Sequence, residues 1–408
     1  MNSRPVAHRK STSRWSDRVR TLAVSLAVVA VTVAGASAQE RGPTPISQAE
    51  LEAAIAKLGD LDYPTRMKAG RAIRRAPGAV AVPALLQAVR EHADGYVRFK
   101  ALVLLTGFSD PRTLDAMEEA LDSPNDRLRE VAYGYFEHNP SPALAPRLMQ
   151  ALTKETGEFV RPSLVRALAA LAGANQQVRD ALIVDAGRGV DYFRSSVIEA
   201  LGDFRIPAAT PRLVEIAKLE GPLQDDAVLA LGKIGDKVAL TALAELQRSG
   251  DQVLQTSVAA GICLMGQNCS SHMGFLQKTL GFAEDHPGYQ ELLRGAASGL
   301  GAIGARGNEE AVTMLLDIGV PSQDPLRAPV ALALGMVALR NTPVLLKVLE
   351  GRKDRDAAVS LIAEGFDMLE EDLEEERFFV TVRRAYWAAP DKSAARGLCE
   401  HLITKLDF

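Results

Sequence analysis

Residues 299–304 read Gly-Leu-Gly-Ala-Ile-Gly, and a similar stretch, Ala-Leu-Gly-Lys-Ile-Gly, occupies residues 230–235. The first has the spacing of a dinucleotide-binding loop, which needs a strand before it and a helix after it. However, Leu-Gly pairs also end apolar segments at residues 201–202 and 334–335. We therefore interpret these glycines as one recurring position at the end of a helix, where a neighbouring backbone approaches closely and a later glycine caps the helix. This interpretation excludes a nucleotide loop.

The recurrence has a period of about 32 residues. Each unit begins with an Arg, or in two later units a Gln, and has a small or apolar residue three positions on. These positions are Arg66, Arg98, Arg129, Arg161, Arg194, Gln224, Gln255 and Arg327. A second marker, Pro-x-Leu, lies half a period away, at Pro83, Pro146, Pro211 and Pro343. Each Pro predicts a helix start, because the first position of a helix needs no backbone N–H donor.

Two apolar-periodic segments in every repeat predict a pair of helices. One pair cannot bury its own apolar face, so the pairs are expected to stack into a solenoid with a continuous core. The composition agrees, since 47% of the residues are hydrophobic but only 5% are aromatic. Ala and Leu must therefore supply most of the burial, which suits closely packed helices.

The combined pattern, Val-Arg-x-x-Ala-x-x-Ala-Leu-Gly-x-Ile-Gly followed by Pro-x-Leu, resembles the short PBS-lyase-like HEAT repeats over about residues 63–350. The resemblance implies an all-α fold, a right-handed α-α superhelix of about ten helix pairs. It also implies an interaction scaffold, because most of the family are scaffolds and a few are lyases or hydroxylases. We expect the solenoid over residues 47–350, with an insertion at 264–292, and a divergent helical cap over 351–408. A capping box that starts at Ser47 predicts the first helix.

Residues 1–38 predict a secretory signal peptide, and residues 39–46 a linker. Six basic residues precede an uncharged run over 22–34, and the small-residue cleavage pattern Ala-Ser-Ala ends at residue 38. The run is shorter than the about 20 residues of a membrane-spanning helix, although an uncleaved anchor remains an alternative. Loss of 6 of the 47 basic and 1 of the 51 acidic residues leaves a net charge of −9, which argues against a nucleic-acid partner. We expect a periplasmic or secreted protein.

The chain has three cysteines, Cys263, Cys269 and Cys399. In an oxidising compartment a bridge between Cys263 and Cys269 is expected, with two free thiols as the alternative. Two histidines, His272 and His286, fall in the same segment, but the spacing of the four side chains matches no standard zinc frame. We therefore expect neither a metal nor another cofactor.

Signals of catalysis are scarce. The sequence contains no His-Glu-x-x-His, Gly-x-Ser-x-Gly or phosphate-binding loop motif. No His is followed by Glu, so the paired iron motif that the resemblance to the hydroxylases would imply is missing. We predict a non-catalytic scaffold that binds a protein or peptide. The alternatives are a lyase-like or small-ligand-binding HEAT protein, and a membrane-tethered subunit that keeps its signal.

An acidic run over residues 370–376 is interpreted as the solvated face of a helix. Its buried stripe would consist of Leu369, Leu373 and Phe378. A calcium loop is not expected, because the run has no alternating Asp or Asn around a central Gly.

Two sets of side chains recur on one face of the predicted array. The Arg ladder consists of Arg66, Arg98, Arg129, Arg161 and Arg194. A guanidinium suits bonds to carboxylates or carbonyls, so we interpret the ladder as structural. The aromatic set consists of Tyr96, Phe159 and Tyr192, each two residues before a ladder Arg. These rings either close the entrance of a helix or form an edge that anchors a partner protein.

Overall fold

The computed structural model describes residues 44–249, 252–286 and 288–408. Within these ranges the chain forms 22 α-helices and no strand. The helices are α1 Gln48–Ala56, α2 Tyr63–Arg74, α3 Gly78–Glu91, α4 Gly95–Leu105, α5 Arg112–Ala120, α6 Asp126–His138, α7 Ala145–Lys154, α8 Arg161–Ala172, α9 Gln176–Asp185, α10 Asp191–Asp203, α11 Thr210–Ala217, α12 Gln224–Ile234, α13 Ala239–Ser249, α14 Leu254–Leu264, α15 Cys269–Glu284, α16 Gln290–Ala305, α17 Glu309–Gly319, α18 Arg327–Arg340, α19 Thr342–Glu350, α20 Arg355–Leu369, α21 Asp372–Ala388 and α22 Ala394–Lys405. The predicted signal peptide, residues 1–38, lies outside the described residues.

The helices form two layers. Each odd-numbered helix from α3 to α17 packs against the even-numbered helix that follows it, and the even-numbered helices stack on one another from α4 to α20. The even-numbered helices pack more extensively on each other than the odd-numbered ones do, so they form the inner side of the curve. The predicted all-α solenoid of about ten helix pairs is confirmed. We call the side made by α4 to α20 the inner surface.

Local signals explain most of the helix starts. Ser47 closes the predicted capping box with Glu50, whose carboxylate accepts from the Ser47 backbone at 2.9 Å. The Pro markers stand in the first turn of α7, α11 and α19, as predicted. The prediction is wrong at Pro83, because α3 already begins at Gly78. There the Pro lies inside the helix and leaves the carbonyl of Ala79 without its usual donor.

The recurring glycines mainly allow the backbones of neighbouring helices to approach closely. A Cβ on Gly232 of α12 would lie 2.5 Å from the Cα of Gly261 in α14, so the two helices touch backbone to backbone. Gly235 caps α12 with φ +77°, as predicted. The same prediction is wrong for Gly304, which is buried inside α16, and the positive φ there belongs to Gly307. The glycines of residues 299–304 thus lie within a helix.

The insertion and the C-terminal part are both helical. The segment predicted as an insertion contains α15, which at 16 residues is longer than its counterparts in the other pairs. Helix α20 still stacks on α18 as the repeats before it do, and α21 leaves the stack. In the described part of the chain no single helix is long and apolar enough to cross a bilayer. Helices α18 and α19 are long and apolar enough only when they are taken together, and the chain bends by 113° between them.

Candidate functional site: the inner surface and its edge

The Arg ladder bonds the ends of preceding helices. The Nε atom of Arg98 donates to the carbonyl of Val89 at 2.7 Å, and that of Arg194 donates to the carbonyl of Ala186 at 3.2 Å. The Gln residues at ladder positions make the same kind of bond, as Gln224 does to the carbonyl of Ala217 at 2.8 Å. These side chains therefore satisfy carbonyl groups that a helix end leaves open.

The other ladder residues vary this arrangement. Arg129 forms a two-pronged bond to Glu155 at 2.8 and 2.9 Å, and Arg66 donates to the carbonyls of Asp60 and Leu61. Arg161 places its guanidinium 3.7 Å from the ring centre of Phe193, while its buried Nε finds no acceptor among the described residues. Further along, Arg327 bonds the carbonyl of Gly319, and Arg355 bonds that of Leu349. Arg355 extends the ladder into α20, beyond the positions predicted for it.

The three residues of the aromatic set differ in solvent exposure. Phe159 is 80% exposed and Tyr192 is 48% exposed, whereas Tyr96 is half-buried against the core. The ring of Tyr96 lies 5.8 Å from that of Phe99 and 5.6 Å from the guanidinium of Arg127. Burial raises the pKa of the Tyr192 hydroxyl, and the carboxylates near it add to the shift. Those carboxylates belong to Glu158, Glu130 and Glu199. Phe159 and Tyr192 therefore form an exposed edge with acidic neighbours, which we call the aromatic edge.

Helix α21 lies across the inner surface. It contacts α4, α6 and the turn at residues 106–108 on one side, and α18 on the other. The interpretation of its acidic run as a solvated face is wrong, since Glu374 is 7% and Glu376 is 1% exposed. Of the predicted stripe, Phe378 is buried, while Leu369 and Leu373 are half-buried. The carboxylates are buried because basic side chains from distant repeats face them.

Ion pairs link these carboxylates to several repeats. Along α12, α10 and α8, Lys233 pairs with Asp203 at 2.8 Å, and Asp203 with Arg166 at 2.7 Å. Arg166 also grips Glu137 of α6, with its Nη2 atom 2.7 Å from the carboxylate. In α21, Glu374 lies 2.6 Å from His138 and 3.5 Å from Arg340 of α18. We call this set, from Lys233 to Arg340, the charged network. Together with α21, this network links five helices of the stack: α6, α8, α10, α12 and α18.

Burial and ion pairs shift the acidic groups in opposite directions. Burial would raise the pKa of Glu374, but the hydrogen bond and charge of His138, with Arg340 and Arg377, lower it to about 2. Burial would also raise the pKa of Asp203, yet Lys233 and Arg166 hold it well below its usual range. Burial raises the pKa of Glu375, next to Glu374, to about 7, and Asp372 adds to the shift. Glu375 is thus the carboxylate of α21 that its surroundings compensate least.

Three members of the charged network have ligand atoms close enough to share a metal ion. The carboxylates of Glu137 and Glu374 and the ring of His138 place these atoms within 4.8 Å of one another. However, Arg166 already binds both oxygens of Glu137, and Glu374 faces His138 and two arginines. Positive side chains thus occupy the positions a cation would need, and we interpret the group as part of the ion-pair network.

The three cysteines lie away from this network. Cys263 at the end of α14 and Cys269 at the start of α15 form a disulfide, with Cα atoms 4.1 Å apart, and Cys399 is a buried free thiol.

A groove of about 710 Å³ runs between α1 and α3. Its histidine, His92, accepts a hydrogen bond from the backbone of Asp94 at 3.1 Å. The ionisable side chains that line this groove are Glu52, Glu91 and His92.

Comparison with known families agrees with the repeat pattern. The family model described as HEAT repeats matches residues 51–135, and the model described as PBS lyase HEAT-like repeat matches residues 223–249. No curated protein matches the chain. Two segments of the chain, one on each side of its middle, thus match models of HEAT-type repeats.

Several solved structures are similar at low identity. YibA from Escherichia coli shares 16% identity at a TM-score of 0.40, over 64% of this chain and 100% of that one. Human deoxyhypusine hydroxylase in complex with glycerol shares 19% at 0.27, over 61% and 99%. The CpcE and CpcF complex of phycocyanin lyase from Nostoc sp. PCC7120 shares 17% at 0.26, over 81% and 97%.

Proposed function

We propose that this HEAT-repeat protein is an exported, non-catalytic scaffold that binds another protein in the cell envelope. The observation that carries the proposal is the aromatic edge, where Phe159 and Tyr192 are exposed, each two residues before the ladder Arg of successive helix pairs. Val190, two residues before Tyr192, is also exposed, at 64%. Large exposed rings at a repeated position are unusual for a surface that faces only water, and such rings are common anchors at protein interfaces.

The charge beside the edge indicates the kind of partner surface. Glu158 precedes Phe159, and Asp191 precedes Tyr192 and pairs with Arg194 at 2.9 Å. A partner with apolar pockets for the two rings and basic side chains around them would complement this edge. Tyr96 is half-buried, so we assign it a packing role and leave it out of the contact.

Two features support export. The first 38 residues have the pattern of a signal peptide, and a disulfide such as Cys263–Cys269 is typical of an oxidising compartment. Intact-mass measurement on protein from its native envelope tests this part. A chain that begins at Gln39 is expected, and a mass that retains residues 1–38 would favour the tethered alternative.

Partner capture from envelope extract tests the binding role. The double variant Phe159→Ala/Tyr192→Ala should lose most of the capture seen with the wild type, because truncation of an anchor at an interface costs about 2 kcal/mol or more. Its melting temperature should change little, since both rings are exposed.

The matched control removes one Phe and one Tyr elsewhere. Phe275→Ala/Tyr289→Ala takes exposed aromatics from α15 and from the start of α16. This control should keep the partners that the edge variant loses. Equal loss in both variants, or unchanged capture with a large loss of melting temperature in the edge variant, would contradict the proposal.

A further inference from the structure

The two halves of the solenoid have separate apolar cores. Among the described residues, buried apolar side chains form one cluster across residues 51–262 and a second across 259–408, and the two meet at α14. The apolar face of α21 belongs to the second cluster. Phe378 lies 5.1 Å from Phe366 of α20, and Phe379 stacks on Phe408 at 4.1 Å, measured between ring centres. Helix α21 is therefore anchored to the C-terminal half by apolar packing.

Its contact with the N-terminal half is polar. The ion pairs across this contact are Arg74–Glu376 at 2.6 Å, Lys100–Asp372 at 2.5 Å and His138–Glu374 at 2.6 Å. Beside them, Asp407, which follows α22, pairs with Arg71. Hydrogen bonds add to them, from Arg383 to the carbonyl of Arg74, from Arg384 to the Ser109 hydroxyl and from Arg75 to the carbonyl of Phe408. Leu373, which packs toward Gly134, supplies an apolar contact. We call this set of contacts the clasp.

A polar contact of this kind can separate without unfolding either half. Pairs such as Arg74–Glu376 are buried, but their charges are hydrated again when they part, and this hydration offsets much of the Coulomb attraction that is lost. Apart from Leu373, which packs against the first cluster, the buried apolar side chains would stay packed within their own half on opening, so most of the hydrophobic cost of global unfolding does not apply. Opening should also become easier as salt screens the charges.

Separation would uncover a basic strip. Its cations come from three helices of the N-terminal half and the turn after α2: Arg71, Arg74, Arg75, Lys100 and His138. The shallow site at Gly134 lies beside them, where a Cβ would meet the Leu373 side chain. This strip is complementary in charge to a helix that has carboxylates on one face, and the site at Gly134 accepts a Leu placed among them.

We propose that this basic strip is a docking site for an acidic amphipathic helix of a partner protein, and that α21 occupies it within the same chain. The order Asp-Leu-Glu-Glu-Glu at residues 372–376 is the ligand pattern that the closed molecule itself displays. The site is separate from the aromatic edge. A partner helix would compete with α21, so its apparent affinity reflects the fraction of molecules whose clasp is open.

A peptide added in trans tests the proposal. The probe is a fluorescent synthetic peptide with the sequence of residues 369–388, and the receptor is the full chain. In the receptor variant Asp372→Asn/Glu374→Gln/Glu376→Gln the resident helix loses its charges. This variant should bind the peptide about ten-fold more tightly than the wild type, because its strip is open more often. Raising NaCl from about 0.1 M to about 1 M, which shortens the screening length from about 10 to about 3 Å, should weaken binding to the variant.

Two controls make the result decisive. A peptide that carries the same three substitutions should not bind, and circular dichroism should show that the receptor variant keeps its helix content. Equal affinity of wild type and variant for the charged peptide, or equal affinity of the variant for both peptides, would overturn the proposal. Neither result depends on the aromatic edge, because no native partner is used.

A charge exchange covers the case in which the triple variant does not fold. Lys100→Asp places a negative charge opposite Asp372 and should open the clasp, seen as a larger radius of gyration by small-angle X-ray scattering. The double variant Lys100→Asp/Asp372→Lys restores an opposite pair and should return the wild-type value. A double variant as expanded as the single one, or a single variant as compact as the wild type, would contradict the role of the clasp.

Discussion

The Nε atom of Arg74 in α2 donates to the carboxylate of Glu376 in α21 at 2.6 Å, across 302 positions of the chain. Glu376 is 1% exposed, so this bond joins the two ends of the solenoid in a place that water barely reaches. Repeat arrays usually gain their stability from neighbours in sequence. Here the last helices also contact the first ones, so the array carries an additional long-range connection.

Truncation of a buried Leu tests the packing of the stack. Leu201 of α10 is fully buried, and Leu201→Ala should lower the free energy of unfolding by about 2–5 kcal/mol because it leaves a cavity between helices. The matched control is Leu219→Ala, at a side chain that is 65% exposed, and it should change stability by less than about 0.5 kcal/mol. Urea denaturation measures both values. A similar loss in the two variants would contradict the assigned packing.

A pair of Gly substitutions tests the close approach of α12 and α14. Gly232→Ala should destabilise the protein by about 1–3 kcal/mol, because its Cβ would lie 2.5 Å from the Cα of Gly261. Gly281→Ala in α15 has open space around it and should instead stabilise by about 0.5–1 kcal/mol. Thermal melts of both variants supply the comparison, and a stabilising Gly232→Ala would show that these helices are further apart.

The chain itself suggests a test of the Arg ladder. Arg98 bonds the carbonyl of Val89, and Gln224 makes the equivalent bond in its own repeat. Arg98→Ala should therefore cost about 1 kcal/mol, while Arg98→Gln should cost less because an amide can reach the same carbonyl. Equal losses in the two variants, measured by denaturation, would mean that the bond to the helix end is not the source of stability.

Two adjacent carboxylates of α21 predict opposite dependences on pH. The charged groups that act on Glu375 are Asp372, Lys100, Arg74 and Asp367. Burial raises the pKa of Glu375 to about 7, so its contribution favours the folded state below an unfolded value near 4.5 and is lost as the pH rises through 7. Glu375→Gln should then stabilise the protein by about 1–2 kcal/mol at pH 8, after allowance for solvent screening, and give no gain at pH 4.5.

Glu374 is the matched comparison. Its pKa of about 2 means that the ionised form stabilises the fold above the unfolded value near 4.5, and that this contribution is lost as the pH falls toward 2. Glu374→Gln should therefore destabilise at pH 8, where Glu375→Gln stabilises. Denaturation of both variants at the two pH values decides the matter, and effects of the same sign at pH 8 would contradict the assigned surroundings.

Signals within one repeat predicted much of the fold. The Pro markers located α7, α11 and α19, because a Pro in the first turn affects only its own helix. The same marker failed at Pro83, since a Pro-x-Leu triplet does not tell whether a helix started five residues earlier. The period also reaches Arg355, where Ala358 follows at the expected spacing, so the ladder of α20 was open to prediction.

The contacts that α21 makes on the inner surface were not predictable in this way. The acidic run of α21 looks like a water-facing helix, and nothing in its own sequence indicates that Arg74 and Lys100 face it. Those cations lie in helices about 300 residues earlier in the chain, and the curvature that brings them together is a sum over all the repeats. The exposure of Phe159 and the packing of Tyr96 likewise depend on neighbours that a local pattern does not contain.

Hydrogen exchange at two salt concentrations tests most directly whether a polar clasp closes the solenoid. Raising NaCl from about 0.1 M to about 1 M should speed exchange of backbone amides in residues 372–377 and in α2, because screening weakens the ion pairs that cover them. Amides of α12, deep in the first apolar cluster, should keep their protection. Unchanged exchange at both ends of the clasp, or an equal rise in α12, would contradict a polar closure between the two halves.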